Sequence, residues 1–361
     1  VVSNRDFLDF LSPDVLFAGA AILGILTLLL VVLIFANMRQ KKRLYFSRQK
    51  ITEQLNNWIS EALIEENGIH IEIPEWLQLY FREHAHRQYV VDSLININKN
   101  LTGSAAENIT AIYEQLGLKQ YAQQKLKSIR GHTKARGIYE LYMMDRKEAM
   151  LEIAKYTDSD NDTVRIEAQI AMVGFMGFDG LSFLSNLTHP LNEWHQLQLL
   201  EQLEKLDVRE LKELPLWLVS DNNYVRLFAL KLADIYQQFQ VHDIVVRCLS
   251  SDDENIRSHA ITTLGRIARE HTIEILKETY GSETNKNKKN ILKQVAAAGS
   301  EKDVQFLMEQ LKHSDDSVVL EAGKAIVTCS ENGLEYLSFY AEGNSTLSSI
   351  TNQIKYELKK R

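Results

Sequence analysis

The chain begins with an unbroken apolar run and then changes to helical periodicity. From Val15 to Ala36 no residue carries a charge, and the run is bounded by Asp14 and Arg39. At about 1.5 Å per residue, a helix of that length spans roughly 33 Å, enough to cross a hydrocarbon core of about 30 Å. Beyond it, Ile51, Leu55, Trp58, Ile59, Ala62 and Leu63 keep the three-and-four spacing of one helical face. That rhythm predicts a helix continuing from the apolar run to Asn67-Gly68, a pair suited to a C-terminal cap. Ile69, Ile71 and Ile73 alternate and predict a short extended piece, and Pro74 then opens a further helix through Trp76 and Tyr80.

In the second half the pattern repeats. Ser159-Asp160-Asn161-Asp162-Thr163-Val164-Arg165, with Ala168, returns as Ser220 to Arg226 with Ala229 and as Ser251 to Arg257 with Ala260. A shorter copy runs from Ser314 to Val319, with Ala322. The β-branched anchors Val164, Val225, Ile256 and Val318 are separated by one or two steps of a single period of about 31. Weaker copies stand where the period places them: His195, Leu199 and Leu203; Asn287, Ile291 and Val295; and, more loosely, Ala135-Arg136 with Tyr139 and Met143. Each unit reads as an Asp/Ser/Asn turn with an N-cap, a first amphipathic helix, a break and a second helix such as Asp243 to Leu249 or Asp303 to Lys312. No such pair has enough apolar face to be stable alone, so neighbours must stack. The period therefore predicts an α-solenoid.

The closest copy, Asp253 to Gly265, resembles the short HEAT-like repeat with its Asp-x-x-Val-Arg-x-x-Ala-x-x-x-Leu-Gly core. The resemblance covers about residues 130 to 340 well, and residues 75 to 130 by helical pattern only. It implies an all-α fold, one transmembrane helix followed by a right-handed solenoid of helix pairs, with second helices lining a concave side. It also implies a ladder between turn Asp and Arg residues of neighbouring units, with Arg165, Arg226 and Arg257 as its arginines and with interruptions at His195 and Val319. The organisation expected is a short external tail (1–14), a transmembrane helix (15–38), and a basic juxtamembrane and connector helix (39–74). After these come an N-terminal helical part (75–130), HEAT-like repeats (131–346), and a capping helix (347–361) marked by Leu347, Ile350, Ile354 and Leu358.

Charge sets topology and narrows the partners. Arg5, Asp6, Asp9 and Asp14 precede the apolar run; Arg39, Lys41, Lys42, Arg43, Arg48 and Lys50 follow it with no acid before Glu53. A cleavable signal peptide would carry its cations in front and a shorter apolar core. The positive-inside bias places the N-terminus outside and the solenoid in the cytoplasm of a single-pass inner-membrane protein. The same basic stretch, Arg39 to Lys50, suits anionic lipid headgroups. The net charge is −7. Seven cations and three acids give residues 1–50 a charge of +4, leaving −11 on residues 51–361, a surface that repels a phosphate backbone and argues against nucleic acid. Cys248 and Cys329 lie in helical patterns and read as free thiols in a reducing compartment. Four prolines suit an all-helical chain.

Candidate chemistry is sparse. His84 and His86 stand at i, i+2 and so point to different helix faces, no Cys-x-x-Cys occurs, and no cofactor or metal is expected. Phosphate-cradling glycine motifs and a serine elbow are missing; Gly174, Gly177 and Gly180 read as an inter-helix turn. Ala20 and Gly24 have the small-xxx-small spacing that favours close packing of membrane helices. The expected function is a non-catalytic membrane-tethered scaffold that binds a protein partner, an integral-membrane complex, at the cytoplasmic face. Candidate contacts are Asn186, Arg247, Lys277 and Gln310 on second helices. Single-pass anchors followed by such repeats look like accessory subunits of bacterial envelope or exopolysaccharide (glycosyltransferase) machinery. The alternative implied by the resemblance is a lyase-type enzyme or enzyme subunit binding a small ligand on the concave face. A periplasm-active reporter fused after Lys50 is expected to be silent; activity there would invert the topology.

Overall fold

A computed structural model of the chain describes residues 13–64, 73–81, 84–204, 206–207 and 209–360. The expected cap at Asn67-Gly68 and most of the extended piece before Ile73 lie outside the described residues. Among the described residues the fold is all-α. The chain divides into two compact units at Leu118/Lys119.

The first unit is built on α1 (Pro13–Ile64), one continuous helix of 52 residues. Within it Phe17–Arg39 has a mean hydropathy of 2.9 and none of its side chains packs into protein; it is long and apolar enough to cross a membrane. Its large apolar residues from Ile22 to Met38 are all more than half exposed. Further along, the helix changes character as its periodicity demands: Leu55 and Ile59 are buried, and Thr52 hydrogen-bonds Tyr89. Pro74 precedes α2 (Glu75–Tyr80), where its fixed φ is suited to a helix start. Next come α3 (His84–Asn98) and α4 (Ser104–Gln115), whose buried Val90, Val91, Leu94, Ile95, Ile109, Ile112 and Tyr113 form the interior of this unit. His86 stacks flat on Tyr80, ring centroids 4.0 Å apart.

The second unit is the repeat array. After α5 (Leu118–Leu126) the first helices of successive pairs are α6 (Gly131–Met143), α8 (Asp162–Met176), α9 (Glu193–Leu203), α11 (Asn223–Ile235), α13 (Glu254–Arg266), α15 (Asn285–Ala298) and α17 (Asp316–Cys329). Their starts, at positions 131, 162, 193, 223, 254, 285 and 316, keep the period of about 31 throughout. The second helices are α7 (Met150–Ala154), the 3-10 segment Gly177–Asn186, α10 (Leu214–Leu218), α12 (His242–Cys248), α14 (Thr272–Thr279), α16 (Val304–Gln310) and α18 (Gly333–Tyr340). The final helix α19 (Ser345–Lys360) buries Leu347, Ile350 and Ile354 against α17, and the remainder faces water, as a capping helix must. Asp162–Asn186 is also apolar enough to be mistaken for a membrane span, but it breaks at Gly177 (φ 60) and half of it is buried between neighbouring helices.

The phase of the array is set by side-chain caps. Asn161, Asn192, Asn222, Asp253, Thr284 and Asp315 each accept a hydrogen bond from a first-turn amide of the helix they precede, at 2.8 to 3.4 Å. An unpaired amide there costs free energy, and each cap contributes about 0.5–2 kcal/mol. From α8 onward the anchor two residues into each first helix and the residue four further on, as in Val225 with Ala229 and Ile256 with Ala260, are buried. First helix packs on first helix along the array, and each second helix on the next first helix; α9 and α11 approach least closely. One contiguous apolar core runs from Val173 to Ile354.

Two anchors break the β-branched rule. Asn287 is buried and donates to Glu283 Oε2 at 2.9 Å, but the buried His195 leaves Nε2 without a partner. Burial, reinforced by nearby Arg165, holds the His195 imidazole down at about 4. In the unfolded chain a histidine titrates near 6.5, so between these values the unfolded state binds the extra proton and stability falls as pH falls. Acidification from pH 7 to 5 is expected to remove about 2 kcal/mol through this residue. His195→Val, which installs the residue type of positions 164, 225 and 318, is expected to flatten that slope in thermal melts at the two pH values. An unchanged slope would assign the acid sensitivity elsewhere.

Candidate interaction surface

The turn arginines were expected to form a ladder with turn aspartates. Instead each mainly braces its own turn or stands apart. Arg165 donates to Ser159 O (2.6 Å) and Asp162 Oδ1 (2.5 Å), both in its own unit. Arg257 donates to Ser251 O (2.8 Å) and reaches the next unit through Glu283, Nε to Oε1 at 2.8 Å and Nη2 to Oε2 at 3.3 Å. Arg226 is half-buried beside Cys248, and its Nε has no hydrogen-bond partner. The rungs that do join units lie at the helix starts, between the first residue of one helix and the cap of the next. They are Asn223 to Asp253 (3.0 Å), Thr284 to Glu254 (2.8 Å) and Asn285 to Asp315 (2.9 Å). Four consecutive units are thus bonded through the same group that caps each helix.

The two sides of the array differ. The positions nominated on second helices divide into two kinds: Asn186 and Arg247 are exposed, but Lys277 and Gln310 are engaged within the fold. Lys277 Nζ lies 2.6 Å from Oδ1 of the fully buried Asp303, whose other oxygen accepts the Ser300 amide at 2.9 Å. Burial pushes the Asp303 carboxyl up, but these hydrogen bonds outweigh it and hold it below the usual range. Gln310 donates to Phe306 O at 3.1 Å.

On the first-helix side, residues two units apart touch. Tyr142 of α6 donates to Gln202 Oε1 of α9 at 2.6 Å, crossing α8 at Gly174, where a Cβ would overlap the tyrosine ring. Gly174 is therefore a crossing point inside α8, not part of the expected turn; Gly177 supplies the turn. Tyr142 and Gln202 stand on facing sides of α6 and α9, so their side chains meet over Gly174 on the first-helix side of the array.

The first-helix face carries mainly the side chains one, four, five and eight residues after each first-helix start, with Ala135 of α6 and Phe228 of α11 buried instead. In α9 and α11 these include Trp194 (70% exposed), Leu197 (56%) and Tyr224 (46%). In α13 they are Asn255, Ser258, His259 and Thr262; in α15, Lys286, Lys289, Asn290 and Lys293. Lys231 of α11 donates to Gln196 at 2.9 Å and Asn290 to Ser258 O and Thr262 at 2.9 Å, so polar bonds cross from helix to helix. Burial first, then Lys231 and Lys286, hold the His259 imidazole below its ordinary range, with Glu193 opposing. Charges on α9, α11 and α15 thus all act on one side chain of α13.

Groups suited to catalysis are dispersed. Among the described residues no three His, Cys, Asp or Glu side chains gather as a metal site. His242 is held between Asp243 Oδ1 (3.0 Å) and Thr272 Oγ1 (2.9 Å), and His189 lies 2.9 Å from Asp158, both as inter-helix braces. Cys248 and Cys329 are free, and burial raises both thiols above their usual range. An open cleft of about 540 Å³ beside Trp217 is lined by Phe178, Asp179 and Arg209, the last two paired at 2.6 Å.

Residues 242–326 match the family model described as HEAT repeats, so the resemblance carried by Asp253 to Gly265 is shown over that stretch. No curated protein matches the chain. Among solved structures, two described as engineered proteins from a structural genomics consortium are similar to it. One is 14% identical and covers 78% of this chain and 88% of its own, with a TM-score of 0.39. The other is 14% identical and covers 67% and 96%, with a TM-score of 0.21. The class is an all-α solenoid with HEAT repeats, a fold that serves as a protein-interaction scaffold.

The arginines separate in a mutational test. Arg257→Ala strips the charge-assisted bonds from the nearly buried Glu283 and is expected to lower stability by about 1–3 kcal/mol. Arg226→Ala, which breaks no such pair, is expected to shift it by less than half as much. Equal losses in chemical denaturation would show that Arg226 has a structural partner of its own.

Proposed function

We propose that this protein is a non-catalytic, membrane-tethered adaptor whose repeat array holds a protein partner, an integral-membrane complex, at the cytoplasmic surface of the membrane. The observation that carries the reading is the exposure of Trp194, Leu197 and Tyr224 on adjacent first helices. Among the described residues the other exposed large apolar side chains on first helices are Met176 of α8 and Ile235 of α11, each at a helix end, and neither is aromatic. Exposed aromatics on neighbouring helices mark a surface made to be covered. Within this reading 15–38 crosses the membrane, 39–74 is the basic connector and contacts anionic lipid, 131–346 presents the binding surface, and 347–361 closes the stack. The uninterrupted α1 supports a rigid link from bilayer to cytoplasm, about 1.5 Å per residue from Pro13 to Ile64. Asn186 and Arg247 remain candidate contacts of the second-helix side. Lys277 and Gln310 are weaker ones, since each is already bonded within the fold. The bacterial envelope setting, with a glycosyltransferase complex as partner, is the pathway this reading favours.

Purification of the full chain from its native membrane in mild detergent is expected to bring down one integral-membrane protein in near-stoichiometric amount. Recovery of the chain alone, at several detergent strengths, would count against an adaptor.

A further inference from the structure

The first-helix face is not uniform, and its asymmetry describes what it binds. Over α9 and α11 it is aromatic and aliphatic, with Trp194, Leu197 and Tyr224 standing free of the core. At α15, three helices on from α9, it is basic. α15 holds Lys286, Lys288, Lys289 and Lys293 and no acid, unlike any other first helix of the array. Lys286, Lys289 and Lys293 stand one turn apart on one side of α15, with Lys286 and Lys293 exposed. Among the described residues none of the three is in an ion pair; Asn290 between them pairs with Ser258, Thr262 and Gln294, and Glu321 of α17 is the acid on the adjoining helix of this face. The three lysines lie in a part of the chain whose net charge is −11, so their grouping runs against the surrounding composition. Between the two patches the amides and hydroxyls of Asn255, Ser258, Thr262 and Asn290 form a polar strip.

We propose that the first-helix face of α9, α11, α13 and α15 receives one acidic segment of a protein partner, with apolar side chains over Trp194, Leu197 and Tyr224 and carboxylates over Lys286, Lys289 and Lys293. The proposal rests on the adaptor reading and adds to it the face and the chemistry of the partner. Three helix-to-helix steps of about 8–10 Å set a contact length of about 24–30 Å. A helix of about 16–20 residues matches it at about 1.5 Å per residue. The segment is therefore polarised along its length, an apolar end and an acidic end on one contact face, and the lysines fix which way round it lies. A bilayer with anionic headgroups offers the same charge, but residues 51–361 carry −11 and are repelled by it at short range.

The test uses the full chain in its native membrane, with the photo-crosslinking amino acid p-benzoylphenylalanine placed at position 197 or 293. Sequenced adducts from both positions are expected to map to one stretch of one partner protein, no longer than the helix that spans the contact. The adduct from 197 should fall on its apolar end and that from 293 beside Asp or Glu. Lys286→Glu, Lys289→Glu and Lys293→Glu together are expected to reduce both adducts at least tenfold, with the helical circular dichroism spectrum unchanged. Should that variant fail to fold, the triple Gln substitution is expected to give at least a threefold loss. Adducts to phospholipid, to a second copy of this chain, to a segment without clustered acids, or to two unrelated segments would each overturn the assignment, as would a charge-reversed variant that crosslinks as well as the parent. If an integral-membrane partner co-purifies but neither position reaches it, the face is wrong and the adaptor stands; if nothing co-purifies, the adaptor itself falls.

Discussion

Every feature of the array depends on one constraint: a helix pair of this short period cannot cover its own apolar face. A first helix such as α13 buries Ile256, Ala260, Ile261 and Leu264 completely, yet its own second helix has only 8 residues. The remaining cover comes from the first helices before and after it. Equivalent residues must therefore meet at equivalent heights, unit after unit. A slip of one residue would turn a given side chain through about 100° and take the anchor out of the core. The period is the geometric condition for a continuous core.

The caps keep that condition. A helix start fixed by Asn222 or Asp253 sets where the anchor two residues on will point, and the rungs from Asn223 to Asp253 and from Asn285 to Asp315 tie one start to the next. The cap is thus both a local helix signal and the bond between units, which explains why Asn, Asp or Thr occupies all six such positions from 161 to 315. Lys277, Asp303, His242 and Thr272 serve similar ends on the second-helix side. Once the anchors, caps and braces are subtracted, exposed side chains remain on both sides, among them Asn186, Arg247 and Phe339 on second helices. On the first helices they range from Trp194 in α9 to the lysines of α15.

How much of this could be read from the chain follows from the same division. The period, the helix pairs and the apolar N-terminal helix are written in local chemistry, in turn residues and in the three-and-four spacing of apolar positions, so they were legible. The binding face was not. Which exposed side chains of successive helices come together depends on how the units stack, and no residue states it; the contact of Tyr142 with Gln202 across Gly174 joins residues 60 apart in the chain. The arginines mislead for a related reason. Arg165, Arg226 and Arg257 occupy the same place in the phrase, but only Arg257 meets an acid, Glu283, in the next unit. Lys277 looked like a surface cation because its partner Asp303 is 26 residues away in sequence.

Under the adaptor reading, the charge balance has a consequence for which anion the array meets. An array of −11 placed under a membrane whose inner leaflet is anionic is repelled by it, and the cations between Arg39 and Lys50 offset that only next to the bilayer. Repulsion of exposed charges fades within a Debye length of about 8 Å at physiological salt. Its effect is therefore to keep the repeats off the lipid surface without restricting them farther away. Lys286, Lys289 and Lys293 are a short stretch of cations on a body of opposite net charge, so a bilayer broad enough to reach them also meets the surrounding acids, whereas a segment of a protein meets the strip alone. The extent of the ligand thus separates two anionic ligands that the charge of the strip would not distinguish.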